Sequence, residues 1–164
     1  GPLTNPAGAK SQLIGVPNVE LTLKIAQVLK RLGSERVMVV HGYDGLCELT
    51  VTSPTHVAEL REGNIKEYEV TPEELGLKTG KLEEIGIDSP EESAKIMKSI
   101  FSGVEKGTAR EIALANAAGA LVVAGKVENL EEGVVLAAKT VDSGKAAEKL
   151  NDLIKFSWAN HRAN

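Results

Sequence analysis

The segment His41-Gly42-Tyr43-Asp44-Gly45-Leu46-Cys47-Glu48-Leu49 crowds an imidazole, two carboxylates and a thiol into one short stretch. Such groups bind cations, move protons or attack electrophiles. Just ahead lies Val37-Met38-Val39-Val40, an apolar run without alternation, the pattern of a strand covered on both faces, as in a parallel sheet. The loop therefore follows a strand's carboxyl end, where open α/β sheets bind ligands. Gly42 and Gly45 permit a sharp turn, and local features alone also fit a connecting loop with a solvated acid. A cysteine nucleophile needs an activating base, and no histidine stands at a spacing that commits Cys47 to that role. His41, His56 and His161 form neither a triad nor a metal pattern. His41, at a strand end, reads as a satisfied loop residue.

The opening Gly1-Pro2-Leu3-Thr4-Asn5-Pro6-Ala7 reads by itself as a proline-rich turn. The short apolar run Gln12-Leu13-Ile14-Gly15-Val16 follows and suits a buried strand. The glycines are scattered singly, with no cluster opening a helix, so the chain shows no phosphate-cradling loop. Asn116, inside the apolar segment Ile112 to Ala124, reads as a buried, hydrogen-bonded polar group.

The elements that must hold these groups are legible in part. Between Gln12–Val16 and Val37–Val40 a helix is predicted from about Val19 to Leu32. Its apolar stripe is Leu21, Ile25, Val28, Leu29 and Leu32, with Asn18 as cap and Gly33 as stop. Strand, helix and strand make a βαβ unit, right-handed by the general rule. Thr55–Leu60 and Ile65–Val70 predict a hairpin around Arg61-Glu62-Gly63-Asn64. Four helix starts follow, at Thr71-Pro72-Glu73-Glu74, Ser89-Pro90-Glu91-Glu92, Thr108-Ala109-Arg110-Glu111 and Asn129-Leu130-Glu131-Glu132. Each places a capping oxygen three residues ahead of a glutamate. Ser143-Gly144 separates the last two helices, the final one ending near Lys155. The expected fold is α/β: part of an open, mainly parallel sheet with a hairpin, flanked by helices, with a helix-rich carboxyl-terminal half. Residues 1–155 form the domain and residues 156–164 an irregular tail.

With 164 residues and 42% hydrophobic content, the chain has enough apolar surface for one domain with a real core. A net charge of −4 with 3% aromatic residues argues against nucleic acid or an anionic membrane as the main partner. The single cysteine excludes an internal disulfide and fits a reducing compartment. Ile112 to Ala124 is too short to span a bilayer. The sequence starts without a basic stretch leading into an apolar run, so a cytoplasmic location is expected.

Gly1 to Val16 and His41 to Leu49, supported by Asn116-Ala117 and Glu132-Gly133, resemble the second half of the α/β domain of anthranilate phosphoribosyltransferases. The resemblance spans about residues 1 to 154. It implies transfer of a phosphoribosyl group from phosphoribosyl pyrophosphate to anthranilate, a step of tryptophan biosynthesis, with magnesium. It also implies that Gly1 and Pro2 line the anthranilate site, where a bare backbone and a rigid ring suit close approach to a flat acceptor. The family's loop ends in adjacent Asp and Glu ligands for magnesium. Here the matching positions are Cys47 and Glu48, so Glu48 carries over as a ligand and Cys47 departs, thiol sulfur being a poor substitute for hard oxygen. The family's Gly-Thr-Gly-Gly-Asp and Asn-x-Ser-Thr phosphate motifs do not occur in this chain. The resemblance places them, and the helical domain of the family's homodimer, ahead of Gly1. The expectation is thus a carboxyl-terminal half that is inactive by itself. Two other readings stay open here: a relative of pyrimidine nucleoside phosphorylases, and a non-catalytic transferase-like protein that binds nucleic acid.

Overall fold

A computed structural model describes the backbone of residues 2–161 and the side chains of residues 3–159. Strand β1 (Ser11–Gly15) leads through helix α1 (Glu20–Arg31) into β2 (Arg36–Gly42), which lies parallel to β1. Strands β3 (Thr55–Arg61) and β4 (Asn64–Val70) complete a sheet in the order β1-β2-β3-β4. The α/β class and the hairpin hold, but the sheet is mixed: only β1–β2 is parallel, while β2–β3 and β3–β4 are antiparallel. The reason lies after β2. The loop returns directly to Thr55 with no crossover helix, and a chain that turns back without one must pair antiparallel. The hairpin turn is the pair Glu62-Gly63, both at positive φ (52° and 76°), which matches the twist of a tight two-residue connection.

Val37 to Val40 are at most 1% exposed, so β2 is covered on both faces, as its unbroken apolar run predicts. Met38 and Val40 face one core with Leu49, Val51, Val57, Leu114 and Ala118. Val37 and Val39 face the other with Ala26, Leu29, Ala58 and Leu60. Each fully buried valine or leucine contributes roughly 1.5–3 kcal/mol, so this central strand anchors both layers. Helix α1 meets the sheet through Thr22, Ala26 and Leu29, flanked by Leu21 and Ile25. The predicted stripe is therefore rotated: Val28 and Leu32 stay 37% and 58% exposed. Small residues at 22 and 26 let the helix axis approach the strands, and the Thr22 hydroxyl is satisfied by donating to the Val19 carbonyl (2.7 Å). Asn18 does not cap with its side chain; its carbonyl accepts from the Leu21 N–H (3.0 Å).

After the hairpin come α2 (Pro90–Phe101), α3 (Thr108–Val123), α4 (Leu130–Asp142) and α5 (Lys145–His161). The Ser89 and Asn129 side chains cap α2 and α4 as predicted, accepting from the Glu92 and Glu132 N–H groups (3.1 and 2.9 Å). Of the other two predicted starts, Thr71 opens no helix and Thr108 opens one without capping it. Thr71 and Glu74 exchange capping-box hydrogen bonds, yet the chain makes only a turn and leaves at Gly76 (φ 70°). Leu75 and Leu77 are both buried, and two core contacts spaced two apart require extended chain there. Helix α3 does start at Thr108, but the Thr108 hydroxyl donates to the Glu84 carboxylate instead, and Glu111 accepts from the Lys78 N–H (3.2 Å). Tertiary partners displaced the local cap.

Helix α3 is apolar over most of its surface because it lies between the sheet and α4. Arg110 near its start donates through Nη2 to both carboxylate oxygens of Asp142 at the end of α4 (3.0 and 3.1 Å), which fixes the two helices antiparallel. Helix α5 runs on through Phe156 to His161, so residues 156–161 are helical rather than an irregular tail; residues 162–164 lie outside the described residues. Leu153, Ile154 and Trp158 continue the helical spacing of Leu150, which sustains the period beyond Lys155.

Candidate functional site

The loop from Gly42 to Thr55 sits at the carboxyl end of β2, and its shape is set by Asp44. One Asp44 oxygen accepts from the Leu46 N–H (2.9 Å); the other accepts from the Thr50 hydroxyl (2.5 Å) and the Thr52 hydroxyl. Burial pushes the Asp44 carboxyl up, but the hydroxyls of Thr50 and Thr52 and the Leu46 N–H outweigh it, leaving it below its ordinary value. Its oxygens are thereby engaged, and Asp44 is an organiser of the loop. A side chain at Gly42 would put its β-carbon 2.6 Å from Asp44 Oδ1, so the turn needs glycine. The signal for this knot was present as the Thr50-Val51-Thr52-Ser53 run, whose hydroxyls the sequence reading did not use.

Beyond the turn, Leu49 and Val51 are buried in the core with α3, which pins the loop at its far side. Between turn and pin, Cys47 and Glu48 stand exposed. Asn116 of α3 clasps this point. Its Oδ1 accepts from the Leu49 N–H (3.1 Å); its two Nδ2 hydrogens serve the Leu49 and Ile112 carbonyls (2.8 and 2.9 Å), one of them shared with the more distant Glu48 Oε2 (3.3 Å). Sequence reading identified Asn116 as a hydrogen-bonded polar group, and the structure adds its partner, the candidate ligand itself.

His41 donates from Nδ1 to the Val16 carbonyl (3.0 Å), which fixes its tautomer and ties β2 to the end of β1. It borders an open recess of about 460 Å³ with Asn18, Val19, Glu20 and Leu21. His56 lies on β3 beside Glu67 (3.2 Å), a separate contact on the hairpin. His161 ends α5, its side chain not described, and Gly1 lies outside the described residues; Pro2 opens a short 3-10 turn, Pro2–Thr4, its own side chain not described. A larger cleft, about 540 Å³, runs along β4 and the start of α4 and includes none of residues 42–49.

Among the described residues, no group of three or more His, Cys, Asp or Glu side chains forms a closed metal cage. Magnesium does not need one. It is held by one or two carboxylates and completes its octahedron with water and substrate phosphate oxygens. Glu48 fits that role as a single exposed oxygen donor, and Cys47 does not, because sulfur is soft. No helix among the described residues is long and apolar enough to cross a membrane.

Comparison with known proteins gives a consistent picture. The domain described as "Glycosyl transferase family, a/b domain" matches residues 1–147. The anthranilate phosphoribosyltransferase of Nitrosomonas eutropha is 49% identical over 157 residues, covering 96% of this chain and 46% of the relative. That of Rhodopseudomonas palustris BisB5 is 50% identical over 159 residues, covering 97% and 47%. The crystal structure of the Thermus thermophilus anthranilate phosphoribosyltransferase superposes with a TM-score of 0.86 at 39% identity, over 95% of this chain and 46% of that one. The Saccharomyces cerevisiae enzyme in complex with PRPP and Mg superposes with a TM-score of 0.75 at 25% identity, over 85% and 40%. The chain spans a little under half the length of the relatives it matches.

Proposed function

The chain belongs to the glycosyl transferase family defined by that a/b domain, and we propose that it serves the transfer of a phosphoribosyl group from phosphoribosyl pyrophosphate to anthranilate. The observation that carries this reading is Glu48, an exposed carboxylate on a braced loop at the carboxyl end of β2, in a chain half identical to enzymes of that name. The relatives' identity favours the transferase over the phosphorylase and nucleic-acid readings. By the same reading the reaction is a step of tryptophan biosynthesis in the cytoplasm, and the whole enzyme is a homodimer.

The reaction breaks the bond between ribose C1 and diphosphate, then joins C1 to the anthranilate amine. Positive charge grows on the sugar and negative charge on the leaving group. Bound magnesium supplies neutralisation of the diphosphate charge. This chain's part is to place groups. Glu48 offers one oxygen ligand, and its loop is held by Asp44, Leu49 and Asn116, so little reorganisation is needed as charge develops. Gly1 and Pro2 bound the flat acceptor.

The test joins this chain to the amino-terminal part of the Nitrosomonas eutropha relative, replacing the segment it matches. Anthranilate fluorescence is followed with phosphoribosyl pyrophosphate and magnesium. The expected result is turnover that Glu48→Gln lowers about tenfold or more, the scale of losing one charge-stabilising contact. A cooperatively folded chimera that leaves anthranilate untouched overturns the reading.

A further inference from the structure

We propose that Asn116 is a positioning residue that aims the Glu48 carboxylate at the metal ion; the inference rests on the magnesium reading above. Glu48 is exposed, and an exposed glutamate samples several rotamers unless something holds it. Among the described residues, Asn116 Nδ2 supplies its side-chain hydrogen bond, to Oε2 at 3.3 Å, which leaves Oε1 for a cation. The amide is not free to swing. Its oxygen takes the Leu49 N–H at 3.1 Å and its nitrogen the Leu49 and Ile112 carbonyls at 2.8 and 2.9 Å. Reversing the amide would set its oxygen against two carbonyls and a carboxylate, so the neighbours fix its orientation.

The chemistry of the arrangement favours this role over plain anchoring. Anchoring Leu49 needs only the paired contacts to its own N–H and carbonyl. The two Nδ2 hydrogens serve the Leu49 and Ile112 carbonyls, so the reach to Glu48 is the longer branch of a shared N–H; it orients the carboxylate through Oε2 and leaves the remaining lone pairs open. Outer partners that orient metal-binding carboxylates commonly change metal affinity 10- to 100-fold when removed. Asn116 also sits on α3, the helix pinned by Arg110–Asp142 and by the core, so the support is rigid.

The experiment uses the folded chimera of this chain with the amino-terminal part of the Nitrosomonas eutropha relative, with Mn²⁺ as the probe, read by paramagnetic broadening of backbone amide signals in nuclear magnetic resonance spectra. Dilute Mn²⁺ is expected to broaden the Cys47, Glu48 and Leu49 signals first. Glu48→Gln abolishes that selectivity, and Asn116→Ser raises the Mn²⁺ needed for half-broadening at least fivefold. In a Glu48→Gln background, Asn116→Ser then adds nothing. Equal Mn²⁺ dependence for wild type and Asn116→Ser, with Glu48→Gln sensitive, overturns the positioning role while leaving the metal reading intact. Indifference to Glu48→Gln overturns the metal reading and this inference with it. If Asn116→Ser fails to fold, Glu48→Asp decides: it keeps the charge but draws it back from the amide, and broadening at the wild-type level overturns the proposal.

Discussion

Gly15 and Cys47 meet backbone to backbone: a β-carbon at Gly15 would lie 1.6 Å from the Cys47 carbonyl oxygen. The end of β1 is therefore the floor on which the loop carrying Cys47 and Glu48 rests. No side chain fits between them, because an added β-carbon would lie far inside any van der Waals separation.

Gly15→Ala should accordingly displace the loop and destabilise the chain by about 3 kcal/mol or more, the upper range for overpacking. Urea unfolding measures the loss. A change below about 0.5 kcal/mol would mean that the loop moves aside freely and is not seated on β1.

Asp44→Asn should cost about 1.5–3 kcal/mol at neutral pH, the scale of hydrogen bonds to a charged group. The pH dependence has a definite sign. The folded-state value of Asp44 is depressed, so its stabilisation is complete above the ordinary 3.8 and is lost as pH falls through the lower folded value. The stability gap between wild type and Asp44→Asn should therefore be constant above about pH 5 and close in acid. A gap that persists unchanged into strong acid would show that the charge of Asp44 is irrelevant to the knot with Thr50 and Thr52.

Cys47 is exposed and free, beside Glu48. Cys47→Asp adds a second hard ligand and should strengthen Mn²⁺ broadening of the loop severalfold and raise turnover in the chimera. Cys47→Ser removes sulfur without adding charge and should do neither. Identical Mn²⁺ titrations for all three forms would place residue 47 away from the cation.

Strand β1 pairs only with β2 among the described residues, and its Leu13 and Ile14 are half-buried. An open, apolar edge of this kind recruits further strands. The chain alone should self-associate, or bind a hydrophobic dye, at micromolar concentration. Light scattering that shows a monodisperse monomer, with sharp unfolding and no dye uptake, would mean that the β1 edge closes itself.

Much of this was legible in advance because it depends on local order. Val37 to Val40 announced a strand covered on both faces, Arg61-Glu62-Gly63-Asn64 a hairpin, and Ser89 and Asn129 their helices, since each signal is read within a few residues. Thr71 carried the same capping pattern without opening a helix, and Thr108 does begin its helix but does not cap it. Burial of Leu75 and Leu77 ended one helix after a turn, and Glu84 and Lys78 took the capping groups of the other. Those partners are distant in sequence, and local propensity is too weak to outvote them.

The candidate site divides along the same line. The sequence by itself determined the residue types: a carboxylate at 48, a thiol at 47, glycines at 42 and 45 and the motifs that mark the family. It also determined that the loop follows a buried strand, because apolar continuity is a property of the chain. Only the tertiary structure decided which acid is free. Asp44 and Glu48 are alike on paper, but Thr50 and Thr52 fold back onto Asp44, while Asn116, more than sixty residues away, reaches only one oxygen of Glu48. Hydrogen-bond saturation depends on which groups packing brings within about 3 Å, and that distance is set by the sheet, by Gly15 beneath the loop and by α3 above it.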